Sequence, residues 1–387
     1  MISYSNYATD ARVHRYAGSL ANRGDHVDMI GLGTRMQSRF EVVKGVNVYR
    51  MQTRRYDQGN PLIYLISMLS FFFRSAWQCT VLHFKHRYDV LHFHNLPDFG
   101  VFCTVIPKLM GAKVILDIHD LVPEFYQRKF GLEVDHVIIR LLKWVEKISC
   151  GFADHVITVT TIWEKTVTDR STQPEKCSVM LNSPITDLFY PRNGGTGTKN
   201  GKYRLVYHGN LTEIFGVDLA VRALPLIAEA IPNAELHIYG RARDAILDLT
   251  GLAKELGVEK RVFFNKPVPR IEVPNILHNS DMGIDPKRDG ILAGEGLSNK
   301  CMEFFAVGLP AVVSSIKAAT TYYDDTMVTF FKPGNPEDLA KKVIALYKNP
   351  SKQKDQVRNA LRFIEDHGWP VYEKRYFALV DALAEEK

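Results

Sequence analysis

The sequence predicts an α/β protein made of two parallel-sheet domains, and three observations carry that expectation. Apolar runs of strand length alternate with helical stretches. The alternation starts afresh after a Gly-, Asn- and Lys-rich stretch, "PRNGGTGTKNGK", that reads as a linker. At 387 residues and 44.0 kDa the chain exceeds one ordinary core. The elements follow in order. "MISYS" is the end of a strand, Ala11 to Arg23 a helix and "HVDMIGL" the next strand; "YDVLHFHN", "AKVILDIHD", "HVITVT" and "CSVMLN" are further strands, spaced by helical patterns such as "VIIRLLKWVEKIS". After the linker come "RLVYHGN", a helix from Val217 to about Ala230, "AELHIYG", another helix, "RVFFN", "DMGID", a short helix and "PAVVSS". The expected division is 1–190, a linker at 191–202, 203–365, and a helical segment 366–387, broken at "HGWP", that returns to the first domain.

Composition narrows the classes. Lys and Arg number 49 against 43 Asp and Glu, a net +6 without a long basic run, so nucleic acid is not indicated. A weak attraction to anionic membranes or phosphorylated substrates remains. The five cysteines, Cys79, Cys103, Cys150, Cys177 and Cys301, are odd in number and scattered, which fits a reduced cytoplasm. The start shows no signal-peptide pattern. The apolar run Pro61 to Trp77 is interrupted by Arg74 and a little short to span a bilayer, and reads as a buried or interface-lying helix. Arg54, Arg55, Arg74, Lys85, His86 and Arg87 flank it, which suits docking on an anionic inner membrane face.

In open parallel sheets ligands sit beyond the carboxyl ends of the strands. Polar residues fall at several of those tips: His94 and Asn95, Asp117 to Asp120, His208 to Asn210, Gly240 to Arg243, and Asp285. The most informative stretch is "GILAGEGLSNKCMEFFAVGLPAVVSS", residues 290 to 315. Ser298 is a good N-cap, Asn299 to Val307 lacks breakers, and Gly308 with Pro310 stops the helix. Its first turn then points free N–H groups at the loop, and Lys300 adds a positive charge there, which favours a phosphate-bearing ligand. Glu303, one turn further in, could accept from sugar hydroxyls, and Glu295 stays in the loop.

Glu295, seven residues, Glu303 and "FFAVGLPAVVSS" together resemble the signature of retaining GT-B glycosyltransferases of family 4. "TDARVHRYAGSLANRGDHVDMI", "YDVLHFHNLPDFG", "AKVILDIHDLVPEFY", "VYHGNLTEIFGVDLAVRAL" and "AELHIYGRARD" each look like the corresponding family segment, in order and over nearly the whole chain. The resemblance implies two Rossmann-like domains facing across a cleft. It implies transfer of a sugar from a nucleotide-sugar donor to a saccharide or lipid-linked acceptor, with retention and without a cofactor or bound metal. It puts Glu303 on the donor ribose, Lys300 on the diphosphate, and His119 and Glu295 beside the transferred sugar as the catalytic pair. Gly209, Asn210, Arg241, Leu297 and Ser298 fall on the donor side, and Arg12, Arg15, His94 and Asn95 on the acceptor side.

The sequence departs from the family where many members carry an arginine and a lysine in the first turn of the second domain. Asn210 and Phe215 stand there instead. Replacement cations are Arg241, Arg243, Lys287, Arg288, Arg12 and Arg15. The first strand is also abbreviated, as a start placed too late would make it. Two other functions compete: a nucleotide-sugar 2-epimerase, which lacks this helix signature, and a degenerate partner subunit.

Overall fold

Runs of Val, Ile, Leu and Phe with few polar interruptions suit strands covered on both faces, and they assemble two separate sheets. The computed structural model describes residues 1–53, 61–191, 201–241, 243–290 and 295–386. The chain divides into one unit of Met1–Asn182 with Tyr372–Lys387, and a second of Ser183–Val371. The segment from Ser183 to Phe189 therefore packs with the second unit, earlier than the expected boundary at 190, and most of the expected linker lies outside the described residues. The return to the first unit begins at Tyr372, not at 366.

The first unit holds β1 (Ile2–Asn6), β2 (Asp28–Gly33), β3 (Phe40–Val43), β4 (Val46–Thr53), β5 (Val90–His94), β6 (Lys113–Ile118), β7 (His155–Thr158) and β8 (Cys177–Val179). Its helices are α1 (Ala11–Arg23), α2 (Pro61–His86), α3 (Val105–Leu109), α4 (Val122–Phe130), α5 (Val137–Phe152) and α6 (Thr161–Arg170). The strand order is β3-β4-β2-β1-β5-β6-β7-β8. All neighbours run parallel except β3 and β4, which form an antiparallel hairpin at the edge. The expected parallel sheet thus carries one antiparallel edge hairpin that the sequence did not foretell; Lys44 and Gly45, both at positive φ, make the tight turn. Helix α1 begins where the Asp10 carboxylate accepts from the N–H groups of Arg12 and Val13, and stops at Gly24 in the left-handed region.

The second unit holds β9 (Tyr203–Asn210), β10 (Ala234–Arg241), β11 (Val262–Asn265), β12 (Met282–Asp285), β13 (Ala311–Ser314) and β14 (Thr329–Phe331). With them run α7 (Val217–Ala230), α8 (Arg243–Glu255), α9 (Val273–His278), α10 (Asn299–Ala306), α11 (Lys317–Tyr322), α12 (Pro336–Tyr347) and α13 (Pro350–His367). The order β11-β10-β9-β12-β13-β14, parallel throughout, is that of a dinucleotide-binding sheet, with its reversal point between β9 and β12. Helix α10 lies tight on the sheet because Gly283 has no side chain: a Cβ there would come within 2.6 Å of the Phe304 ring. Phe304 and Phe305 are fully buried, each contributing roughly 1.5–3 kcal/mol of apolar burial.

The last helix, α14 (Trp369–Glu385), crosses from the second unit to the first. There the Tyr376 hydroxyl meets His92 Nδ1 at 2.8 Å and its ring packs edge-on to Tyr16 at 4.5 Å. Ser19 bonds Glu373, and Arg23 pairs with Asp381 at 2.8 Å.

Beneath the strand tips of the first unit lies a buried polar seam. Arg12 donates from Nε to Asp117 Oδ2 at 2.6 Å, from Nη2 to Oδ1 at 2.8 Å, and from Nη1 to the Met180 carbonyl and Asn182 Oδ1, both at 3.0 Å. His94 Nδ1 lies 2.9 Å from Asp117 Oδ2. Burial opposes the Asp117 charge, but Arg12 and His94 outweigh it and hold the carboxyl well below the usual range. Removing one partner strands the other without compensation. Asp117→Ala is expected to destabilise the first unit by about 3–5 kcal/mol, read as a lowered urea midpoint; an unchanged midpoint counts against the seam as a structural tie.

Candidate active site

The reversal of strand order in the second unit opens a crevice between the turns that leave β9 and β12. Gly209, the penultimate residue of β9, sits at φ +125°, a conformation that side-chain-bearing residues rarely adopt. Its backbone faces the Lys300 side chain, whose Nζ would stand 3.7 Å from a Cβ placed there. Lys300 comes from the first turn of α10 and is 8% exposed. Its ammonium lies 4.6 Å from the centre of the Phe215 ring, 5.3 Å from that of Tyr207, and 3.8 Å from Asp285 Oδ1. Burial disfavours the charge, but the surrounding Tyr207, Asp285, Cys301 and Glu303 outweigh it and raise the lysine above its ordinary pKa. Phe215, in the position where the family lysine was expected, therefore supplies a π face to the remaining lysine.

Ser298 occupies the N-cap position of α10, but its side chain makes no capping hydrogen bond. That corrects the sequence expectation and leaves the first-turn N–H groups of the helix without a side-chain cap. One turn in, Glu303 is 8% exposed. Its Oε1 lies 3.5 Å from Arg270 Nη2, and its Oε2 lies 3.3 Å from His208 Nε2, an approach too poorly aligned for a hydrogen bond. Burial, reinforced by Lys300, pushes the His208 pKa down to about 3, so this imidazole is neutral.

Other expected residues are placed as follows. Glu295 Oε1 pairs with Lys317 Nζ at 2.9 Å, and Leu297 is half-buried beside it in sequence. The exposed Asn210 accepts from the Thr212 N–H at 3.0 Å, closing a turn. Lys287, 7% exposed, is held by the Gly296 carbonyl at 2.6 Å. Arg288 braces Asp218 at 2.7 Å and the Glu213 carbonyl at 3.2 Å. The side chains of Arg241 and Arg243 lie outside the described residues, as do Arg54 and Arg55. Arg270 and Lys317 were missed by sequence reasoning, since nothing local distinguishes them from surface cations.

In the first unit His119, half-buried at the tip of β6, donates its backbone N–H to Asn95 Oδ1 at 3.0 Å. Its Nδ1 has no hydrogen-bond partner. Arg12, Arg15, His94 and Asn95, which the resemblance put on the acceptor side, are all buried. Arg12 and His94 belong to the Asp117 seam, Arg15 Nη2 donates to Asn182 Oδ1 at 3.1 Å, and Asn95 Nδ2 donates to Asp98 Oδ1 at 2.9 Å. His92, His94 and Asp117, and separately His26, Asp28 and His86, converge closely enough to ligate a metal, which the sequence did not foretell. The first cluster is buried around Arg12, and neither shares residues with the Lys300 site.

A buried cation packed against two aromatic rings in the first turn of a helix, at the reversal of a parallel sheet, has the chemistry to attract a phosphorylated ligand. Residues 9–183 match the glycosyl transferase 4-like domain, and residues 202–349 match glycosyl transferases group 1. The chain is thus a glycosyltransferase of the GT-B fold, with these two domains in succession. It is 24% identical to a D-inositol 3-phosphate glycosyltransferase of Thermomonospora curvata, over 91% of this chain and 85% of that protein. Sucrose-phosphate synthase from Thermosynechococcus elongatus superposes with a TM-score of 0.79 at 15% identity, over 100% of this chain and 99% of that one. HepE of Anabaena, solved in complex with UDP, superposes at 0.71 and 13% identity, over 98% of each chain. Both family models describe glycosyltransferase domains, so the epimerase reading is set aside.

The buried histidine makes stability pH-dependent. Folded His208 takes up a proton only near pH 3, whereas the unfolded imidazole does so near its ordinary 6.5. Its contribution is fully present above pH 6.5 and is lost as pH falls from there towards 3. His155, pushed down to about 4 by burial, acts in the same direction. His208→Gln should flatten the fall of the urea midpoint across this window, leaving the part due to His155 and to His92, His94 and His237, which burial also lowers; an unaltered acid limb would refute the burial of a neutral His208.

Proposed function

We propose that this glycosyltransferase moves a hexosyl group from a nucleoside-diphosphate sugar to a saccharide or lipid-linked acceptor, with retention of anomeric configuration. The observation that carries the reading is the Gly209–Lys300–Glu303 arrangement at the strand reversal: a buried cation and uncapped helix N–H groups on one side, a carboxylate one turn deeper. Negative charge develops on the leaving diphosphate as the glycosidic bond breaks, and Lys300 with the α10 N–H groups stabilises it where water is excluded. Glu303, buttressed by Arg270, accepts from the ribose hydroxyls. Glu295, oriented by Lys317, and His119 attend the transferred sugar. Retention rests on the Glu295 to Glu303 signature. The UDP and UDP-glucose complexes of HepE make a UDP-sugar the first donor to try. Five free thiols, all buried, suit a reducing cytoplasm.

A thermal-shift screen with UDP, GDP, ADP and dTDP identifies the base, because a ligand of the folded state raises the midpoint by mass action. Glu303→Ala should weaken binding of the responding nucleotide by roughly 1.5–3 kcal/mol while the protein stays folded; undiminished affinity in calorimetry removes Glu303 from the donor. Charge neutralisation is assigned to Lys300 and the helix, so turnover should survive EDTA. Activity lost on chelation and restored by magnesium or manganese would overturn that assignment.

A further inference from the structure

Helix α2 packs one face inward through Met68, Phe71, Ser75, Cys79 and Leu82, all buried. A helix in water normally turns polar residues outward, but this one does not. Ile66, Phe73, Trp77, Val81 and Phe84 form an outer stripe, with Phe73 67%, Trp77 74% and Phe84 63% exposed. The apolar character that the sequence assigns to this run therefore continues on the water side, and the helix is longer than the run itself. The segment Asp98–Thr104 packs against both α2 and α5, and α3 packs against α2. These neighbours repeat the pattern: Leu109 on α3 is 83% exposed, and Val137, Leu141 and Trp144 on α5 are 72%, 55% and 57% exposed. Three elements of the first unit, linked through the Asp98–Thr104 segment, thus each expose apolar side chains, more than the scattered apolar residues of an ordinary surface.

Cations dominate the charge on this face, with the exposed Asp89 following α2. From Pro61 to Tyr88 there is no Asp or Glu, while Arg74, Lys85 and Arg87 are exposed. Within α5 the single acid, Glu146, is fully buried and tied to Arg170 at 2.6 Å, whereas Arg140 and Lys147 are exposed. The exposed acids Glu133 and Asp135 stand ahead of α5, outside the helix. Large aromatics with interspersed cations fit a lipid headgroup boundary. A second copy would set the same cations against each other. Helix α2 is long and apolar enough to cross a bilayer, but its inner face is committed to the sheet, so it lies on the surface.

We propose that the α2–α3–α5 face seats the first unit on an anionic lipid bilayer. The docking surface stands on its own observations and uses no residue of the Lys300 site; it bears on the proposed function by favouring an acceptor held in the membrane. The test is flotation of the full chain with phosphatidylcholine vesicles, with and without phosphatidylglycerol. Binding should require phosphatidylglycerol, weaken with salt, and fall about tenfold or more in Trp77→Gln/Phe84→Gln and in Arg140→Glu/Lys147→Glu. Because these side chains are outward, the variants should keep the wild-type unfolding midpoint and nucleotide thermal shift. A second readout is intrinsic fluorescence: Trp163 and Trp369 are each 5% exposed, so a vesicle-induced blue shift would come from Trp77 and Trp144 and should vanish in Trp77→Phe/Trp144→Phe. Flotation indifferent to lipid charge or to these substitutions overturns the proposal. So does self-association that the substitutions abolish without any lipid binding, which would assign the face to a second copy.

Discussion

A cation buried at the carboxyl end of a parallel sheet must find compensation, and how it finds it separates the two halves of this chain. Arg12 and Lys300 are both nearly inaccessible, and both come from a helix that packs on a sheet and approach an aspartate at a strand end. Arg12 holds Asp117 through two hydrogen bonds and spends two more on Met180 and Asn182. Its charge is fully committed to the fold. Lys300 stops 3.8 Å from Asp285, beyond a direct hydrogen bond, and rests against two aromatic faces. The Asp285 Oδ2 is instead met by the Cys301 thiol at 3.2 Å. The same ingredients thus make a weld in one unit and a charge held near open backbone in the other.

What aims that charge is packing. Phe304 and Phe305 bury the inner face of α10 and the missing side chain of Gly283 lets the helix close on β12, so the first turn is fixed against the end of β9. Electrostatics and apolar packing are coupled here: a shift of the helix would move Lys300, the free N–H groups and Glu303 together. Substituting a phenylalanine for the family lysine is then consistent with the rest of the recess, since Phe215 lowers the cost of keeping one buried ammonium where two would repel.

The strand and helix alternation, the restart after the linker and the helix beginning at Asn299 were legible because each is written in local periodicity and in cap or breaker residues. The β3–β4 hairpin was not, since its exposed strand Phe40–Val43 carries no core-facing alternation. Site residues were legible where motif and helix position coincide, as for Lys300 and Glu303. Their partners were not legible where these are distant in sequence: Asp117 stands 105 residues from Arg12, and Lys317 stands 22 residues from Glu295. Residue type announces a cation, but only the fold shows whether its charge is already matched. The apolar run of α2 was ambiguous for a related reason, because composition cannot say how much of a helix the neighbouring layer covers.

The crossing of α14 has a consequence for synthesis. The ribosome delivers residues 1–182 first, yet the helix that brings Tyr376 to His92 and Tyr16 emerges after the whole of Ser183–Val371. The unit begun first is therefore the unit finished last. While the second sheet is being made, the His92 face of the first must wait uncovered, and the contiguous second unit is free to complete itself in the interval. Maturation of the nascent chain accordingly runs against the order of its codons, with closure of the first unit reserved for a segment made after the whole of the second.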